Sequence, residues 1–210
     1  RAAQGKAFGF QRAMDFAGAA LGALASFLLV RRFLDPATGS LRYIADFYWV
    51  FLLSVLPAFA GVIFPFFTAE TRKRREAGKE KPRPNLDLRR YDRNLRLFFL
   101  VQLLFTLGNS SNQFLLLRSM ELGHSLSLVI LMYLAFNLAS SLLSTPFGSL
   151  SDRIGRRRLL LIGYGLYAAV YAAFGFLTPS SKALLWIFWP LYGIYYAMTE
   201  GVEKAFVADI

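Results

Sequence analysis

A chain of 210 residues with 56% hydrophobic side chains and a mean hydropathy of +0.43 is too apolar for an ordinary soluble domain, where roughly 45–50% is typical. Zero cysteines exclude a disulfide framework and a thiolate metal site. The formal net charge of +11 does not point to nucleic acid: the bases sit in short segments beside apolar runs, where cytoplasmic loops collect them, and no nucleic-acid-binding motif accompanies them.

In lipid every backbone polar group needs an internal partner, so the apolar runs are predicted as helices and the fold class as an all-α membrane protein. A bilayer core asks for about 20 apolar residues as helix, and six such spans are predicted. The first runs from about Gly9 to Val30. Its approach, GKAFGFQRAMD, is polar enough for a membrane surface. Gly5 with Gly9, and Gly18 with Gly22, have the small-xxx-small spacing that lets neighbouring helices approach closely. Arg31 to Asp46 reads as a short loop with Asp35-Pro36 and Gly39 as turn signals. The second span, about Phe47 to Phe67, contains Pro57 and Pro65, each expected to kink it. Glu70 to Arg96 sets eleven bases against five acids and is interrupted by Pro82 and Pro84. It is predicted to be a solvated linker (70–96) between residues 1–69 and 97–210.

The third span, about Leu97 to Leu117, carries GNSSNQ in its middle. Polar side chains inside a membrane are costly unless they face a cavity or a partner helix. Asn109, Asn112 and Gln113 are therefore candidates for a solute-facing patch or for helix–helix hydrogen bonds. His124, the only histidine, is assigned no role. The fourth span, about Leu126 to Leu150, places Asn137, Ser140, Ser141 and Ser144 at near-helical spacing. The fifth covers Leu159 to Leu177, followed by a turn at Thr178 to Ser181. The sixth starts near Ala183 with Trp186, Phe188 and Trp189, which suit a membrane interface, and continues through Tyr192, Tyr195, Tyr196 and Glu200. Nineteen bases fall on one set of span ends and five on the other, so the first set is expected to be cytoplasmic. Both chain ends and the linker lie on that side. With Arg at position 1 and an abrupt stop at Ile210, the chain is read as a piece of a longer protein.

Between the fourth and fifth spans lies GSLSDRIGRRR, Gly148 to Arg158. Gly148 and Gly155 lack a Cβ, so backbone can approach closely or turn with positive φ. Asp152 is a single carboxylate among Arg153, Arg156, Arg157 and Arg158. A hinge-like loop is predicted; bases that merely fix topology are the plainer account. The block resembles motif A of the major facilitator superfamily, G-x-L-[AS]-D-R-x-G-R-[RK], through Gly148, Leu150, Ser151, Asp152, Arg153, Gly155, Arg156 and Arg157. The six spans and the basic linker are similar to spans five to ten of a twelve-helix facilitator built from two six-helix bundles. Gly9, Gly18 and Gly22 resemble the glycine motif of the fifth helix in drug/proton antiporters, with Ala23 and Ser26-Phe27 where that motif has a proline and a glycine pair. GKAFGF, RAMD and YYAMTEGVEKAFVAD resemble a bacterial branch of efflux-like permeases, in which an acid is expected where this chain has Asn112.

The resemblance implies a secondary transporter working by alternating access in a bacterial inner membrane as a multi-pass monomer. Its partners would be a small organic solute, protons and membrane lipid, with no nucleic acid, cofactor or metal. It implies that Asp152 approaches the backbone N–H groups of Gln4 to Ala7, and that Arg156 or Arg157 pairs with Asp209, closing a cytoplasmic gate. The solute or proton pathway would draw on Asp15, Asn109, Asn112, Gln113, Asn137, Tyr192, Tyr195, Tyr196 and Glu200. Glu200 lies nine residues before Asp209, about 13 Å deeper along a helix, and is expected to face the interior and couple transport to protons. Two other classes compete: a sensor or scaffold with the same fold, and an intramembrane enzyme using Glu200 and Glu203 as acid and base. No nucleophile–base pair or metal-ligand cluster supports the enzyme.

Overall fold

The computed structural model describes residues 4–33, 47–67, 92–109 and 111–209, and these residues contain helix and no strand. The helices are α1 (Gln4–Phe33), α2 (Phe47–Phe67), α3 (Arg93–Gly108), α4 (Asn112–Glu121), α5 (Leu126–Ile154), α6 (Arg156–Phe176) and α7 (Leu185–Asp209), with a 3₁₀ turn at Pro179–Leu184 before α7. By length and composition, Gln4–Arg32, Leu126–Ile154 and Arg156–Phe176 are apolar enough to cross a membrane. The expected loop after Arg31 lies mostly outside the described residues, as does the linker up to residue 91.

The predicted third span is two helices. The run Gly108 to Asn112 supplies its own alternative to the helical ladder. Ser111 caps α4 by accepting from the Gln113 N–H at 3.3 Å, as short polar side chains do at helix starts. Asn109 N–H closes α3 on the carbonyls of Phe105 and Thr106. The Tyr167 hydroxyl donates to the freed Gly108 carbonyl at 3.0 Å. The described backbone groups that these contacts reach are thus satisfied within the protein, as a break among membrane helices requires.

The predicted hinge loop is also corrected. Residues 148–154 are the last turns of α5, and α6 begins at Arg156. Only Gly155 departs from the helix, with φ +95°, a value that side-chain-bearing residues avoid. The motif is therefore two helix ends joined at one residue, which holds its side chains more rigidly than a loop would.

α1 lies across α5 and α7, and small residues set the approach. Gly9, Ala13, Ala20 and Ala23 are buried along one stripe of α1. A Cβ on Gly9 would stand 2.5 Å from the Ser144 carbonyl oxygen, and one on Gly148 would overlap the Gly5 carbonyl. Gly201 of α7 meets the same place, its Cβ position 3.2 Å from Gly9 N. Backbone contact of this kind drives helix association where lipid is as apolar as leucine. Gly18 and Gly22 do not take part: nothing described lies within 4 Å of a Cβ at either. The buried stripe on that half of α1 is alanine, displaced around the helix from those glycines.

The apolar core sits among α4 to α7, around Met132 and Phe136 of α5, Val170 and Phe174 of α6, and Leu185, Trp189 and Tyr192 of α7. Trp189 belongs to this core and not to an interfacial girdle. It is fully buried, and its indole N–H donates to Ser119 Oγ of α4 at 3.1 Å. Trp186, three residues earlier, stays exposed. α2 displays large apolar side chains from Tyr48 to Phe67, continuing through Pro57 and Pro65.

Candidate functional site

Three polar clusters lie where α1 meets the other helices. The first is at the helix ends near Gly155. The N–H groups of Gly5 and Lys6 lie in the first described turn of α1. The Asp152 carboxylate takes both, Oδ1 from Gly5 N and Oδ2 from Lys6 N, each at 3.1 Å. Arg156, one turn on, places Nη2 3.3 Å from Asp152 Oδ1 and Nη1 2.8 Å from Asp209 Oδ2 at the end of α7. The side chains of Arg156 and Asp152 are only 7% and 12% exposed, so this is not a solvated surface pair. Gly148 and Gly5 make the geometry reachable, because any larger residue would hold α1 away from α5. Arg153, Gly155 and Arg157 are exposed, and Leu150 is at the border of exposure.

The second cluster is deeper. Arg12 of α1 bridges Glu200 of α7 at 3.0 Å through Nη2 and reaches Asp15 at 3.4 Å through Nη1. Glu200, expected as an interior acid, is thus ion-paired to α1 and partly exposed. Glu203, one turn further along α7, faces a different pair of helices. Its Oε1 lies 2.9 Å from the Tyr164 hydroxyl of α6, and its Oε2 accepts from Gln102 Nε2 of α3 at 3.2 Å.

The third cluster surrounds the α3–α4 break. Asn112 Oδ1 accepts from the hydroxyls of Tyr192 at 2.8 Å and Tyr196 at 3.1 Å. Tyr195 packs beside both rings. Asn109 presents a buried Oδ1 with no hydrogen-bond partner among the described residues. Gln113 is exposed. Asn137 is buried in α5 and donates to its own Tyr133 carbonyl at 2.8 Å, so its amide N–H is engaged within its helix. The structure therefore brings Asn112, Tyr192, Tyr195 and Tyr196 together, and sets Asn137 and Gln113 apart from them.

Sequence reasoning missed Arg12, Gln102 and Tyr164, and considered Glu203 only as a partner for Glu200. A signal existed for Gln102: it is the lone polar side chain in LFFLVQLLF, and an amide within a membrane span calls for partners. Arg12 had no comparable signal, because its partner is on a helix 188 residues away. Among the described residues no group of three or more metal-ligating side chains occurs.

A family model described as Major Facilitator Superfamily matches residues 1–210. An uncharacterized MFS-type transporter of Methanocaldococcus jannaschii is 34% identical over 219 aligned residues, covering 98% of this chain and 50% of that protein. The chain thus spans about half the length of this relative. No solved structure matches.

Proposed function

The chain belongs to the major facilitator superfamily, and from that premise we propose that it is the middle part of a secondary active transporter that exports a small organic solute by alternating access, coupled to protons. In this reading α1 and α2 close the N-terminal bundle, residues 70–96 link the bundles on the cytoplasmic side, and α3 to α7 open the C-terminal bundle. The transporter is a monomer in the cell membrane.

The observation that carries the reading is the Asp152 carboxylate on the Gly5 and Lys6 N–H groups of α1. That contact ties the two proposed bundles at one end, with Arg156 fixing the same carboxylate to the end of α7. It is made of groups that separate as rigid helix ends, so it forms in one global state and breaks in the other. The Arg12–Glu200 bridge joins the same two bundles a few turns deeper. Solute would meet Asn109, Asn112, Tyr192, Tyr195 and Tyr196, whose rings and hydroxyls suit a partly apolar molecule. Asp15, Asn137 and Gln113 would then act at the margins of the pathway.

The test is transport by the full-length protein in proteoliposomes with an imposed proton gradient. A panel of amphipathic organic solutes should include at least one whose movement dissipates the gradient. Solute-independent proton behaviour across the panel, identical to that of empty liposomes, would defeat the reading.

A further inference from the structure

Gln102 of α3, Tyr164 of α6 and Glu203 of α7 form a closed triangle. Tyr164 Oη stands 2.9 Å from Glu203 Oε1 and 3.0 Å from Gln102 Oε1, and Gln102 Nε2 stands 3.2 Å from Glu203 Oε2. Each of the three contacts needs a hydrogen. The tyrosine hydroxyl owns one, the carboxamide nitrogen directs one along this triangle, and an ionised carboxylate owns none. With Glu203 ionised, one pair of oxygens faces without a hydrogen between them, and unmade hydrogen bonds are costly away from water. With Glu203 protonated, the circuit closes. Oε1–H donates to Tyr164, Tyr164 donates to Gln102 Oε1, and Gln102 Nε2–H donates to Glu203 Oε2. Exchanging the oxygen and nitrogen of Gln102, which hydrogen-bonding patterns alone assign, reverses the circuit and leaves the count unchanged.

The surrounding charges agree with this count. Among the described residues, Glu200 on α7 and Arg12 on α1 are the charged groups that act on Glu203, and Tyr195 on its own helix is near enough to feel its charge. Arg12 is already engaged by Glu200 and Asp15, and Lys204 acts on Glu200. Among the described residues of α3 and α6, Gln102 and Tyr164 meet it, both neutral.

We propose that Gln102, Tyr164 and Glu203 form a proton-binding site, with the proton on the Glu203 carboxyl and Glu200 serving as the ion-pair partner of Arg12. Release is loss of the Oε1 proton to water, leaving the carboxylate; the circuit then lacks one hydrogen and α3 is held less tightly to α6 and α7. The role of this site in a transport cycle rests on the reading above, but the bound proton does not.

The experiment is infrared difference spectroscopy of the full-length protein in lipid at neutral pH, in H₂O and D₂O. The wild type should show the carbonyl stretch of a protonated carboxyl, shifted by deuterium. Glu203→Gln should lose that band and Glu200→Gln should keep it. Glutamine at 203 can close the same circuit, its amide donating to Tyr164 and its oxygen accepting from Gln102, so the variant should keep the wild-type unfolding temperature. Tyr164→Phe should displace the band, because the carboxyl proton loses its acceptor. A spectrum unchanged by Glu203→Gln, or a band lost in Glu200→Gln instead, overturns the proposal. A band assigned to Glu203 in a protein that moves no solute upholds the site and defeats the transport reading. Proton-coupled transport without the band defeats the site alone.

Discussion

Replacing Asp152 by Asn tests the latch at its centre. The carboxylate accepts from Gly5 N and Lys6 N at 3.1 Å each and faces Arg156 at 3.3 Å. An asparagine has nearly the same shape but one acceptor oxygen, so one of the two α1 N–H groups loses its partner and meets an NH₂ group instead. Arg156 keeps Asp209 at 2.8 Å, so no guanidinium is left without a counter-charge. A hydrogen bond to a charged group is worth about 1.5–3 kcal/mol. Part of that figure returns as a neutral hydrogen bond and as water reaching the opened contact. A net loss of about 2 kcal/mol from the closed state follows, which is about 30-fold in the opening equilibrium. The chain has no cysteine, so Ser144→Cys places a single thiol against Gly9 at a position 2% exposed. In an otherwise cysteine-free full-length protein, the maleimide labelling rate of that thiol follows the open fraction. Asp152→Asn should raise the rate by about 30-fold. A rate equal to that of the Asp152 protein would refute the latch, and with it the claim that this carboxylate holds α1 closed.

Gly148→Ala places a Cβ on the Gly5 carbonyl oxygen and 3.1 Å from Gly9 Cα; with backbone on both sides, the overpacking should cost about 1–3 kcal/mol, read as a lower unfolding temperature and faster Ser144→Cys labelling. For Arg12→Gln and Glu200→Gln, a double-mutant cycle on the labelling rate should give a coupling of about 1 kcal/mol or less, since both side chains are partly exposed, and strictly additive effects would show that the bridge does not hold the helices. Trp189→Phe removes the donor to Ser119 Oγ and part of a fully buried ring, so the detergent-solubilised protein should lose about 2 kcal/mol of stability by thermal unfolding, with labelling of Ser144→Cys unchanged.

Family and helical class were legible in the sequence because they depend on local patterns. Apolar runs of bilayer length require helix whatever their neighbours are, and the ungapped block from Gly148 to Arg157 is a contiguous signal. Its glycines announced close approach, and Gly148 meets Gly5 and Gly9. Break points depended on competition that a hydropathy window averages away. Ser111 and the Tyr167 hydroxyl satisfy the backbone opened at Asn109, turning one predicted span into two helices. Tertiary structure alone decided which polar residues pair. Glu200 and Glu203 are three residues apart, about 60° around a helix at 3.6 residues per turn, which is enough to send one to Arg12 and the other to Tyr164 and Gln102. Gly18 and Gly22 look as suited to packing as Gly5 and Gly9, yet they turn away from every described helix. The spacing of a residue fixes its face within its own helix, and only the crossing of α1 over α5 and α7 decides what that face meets.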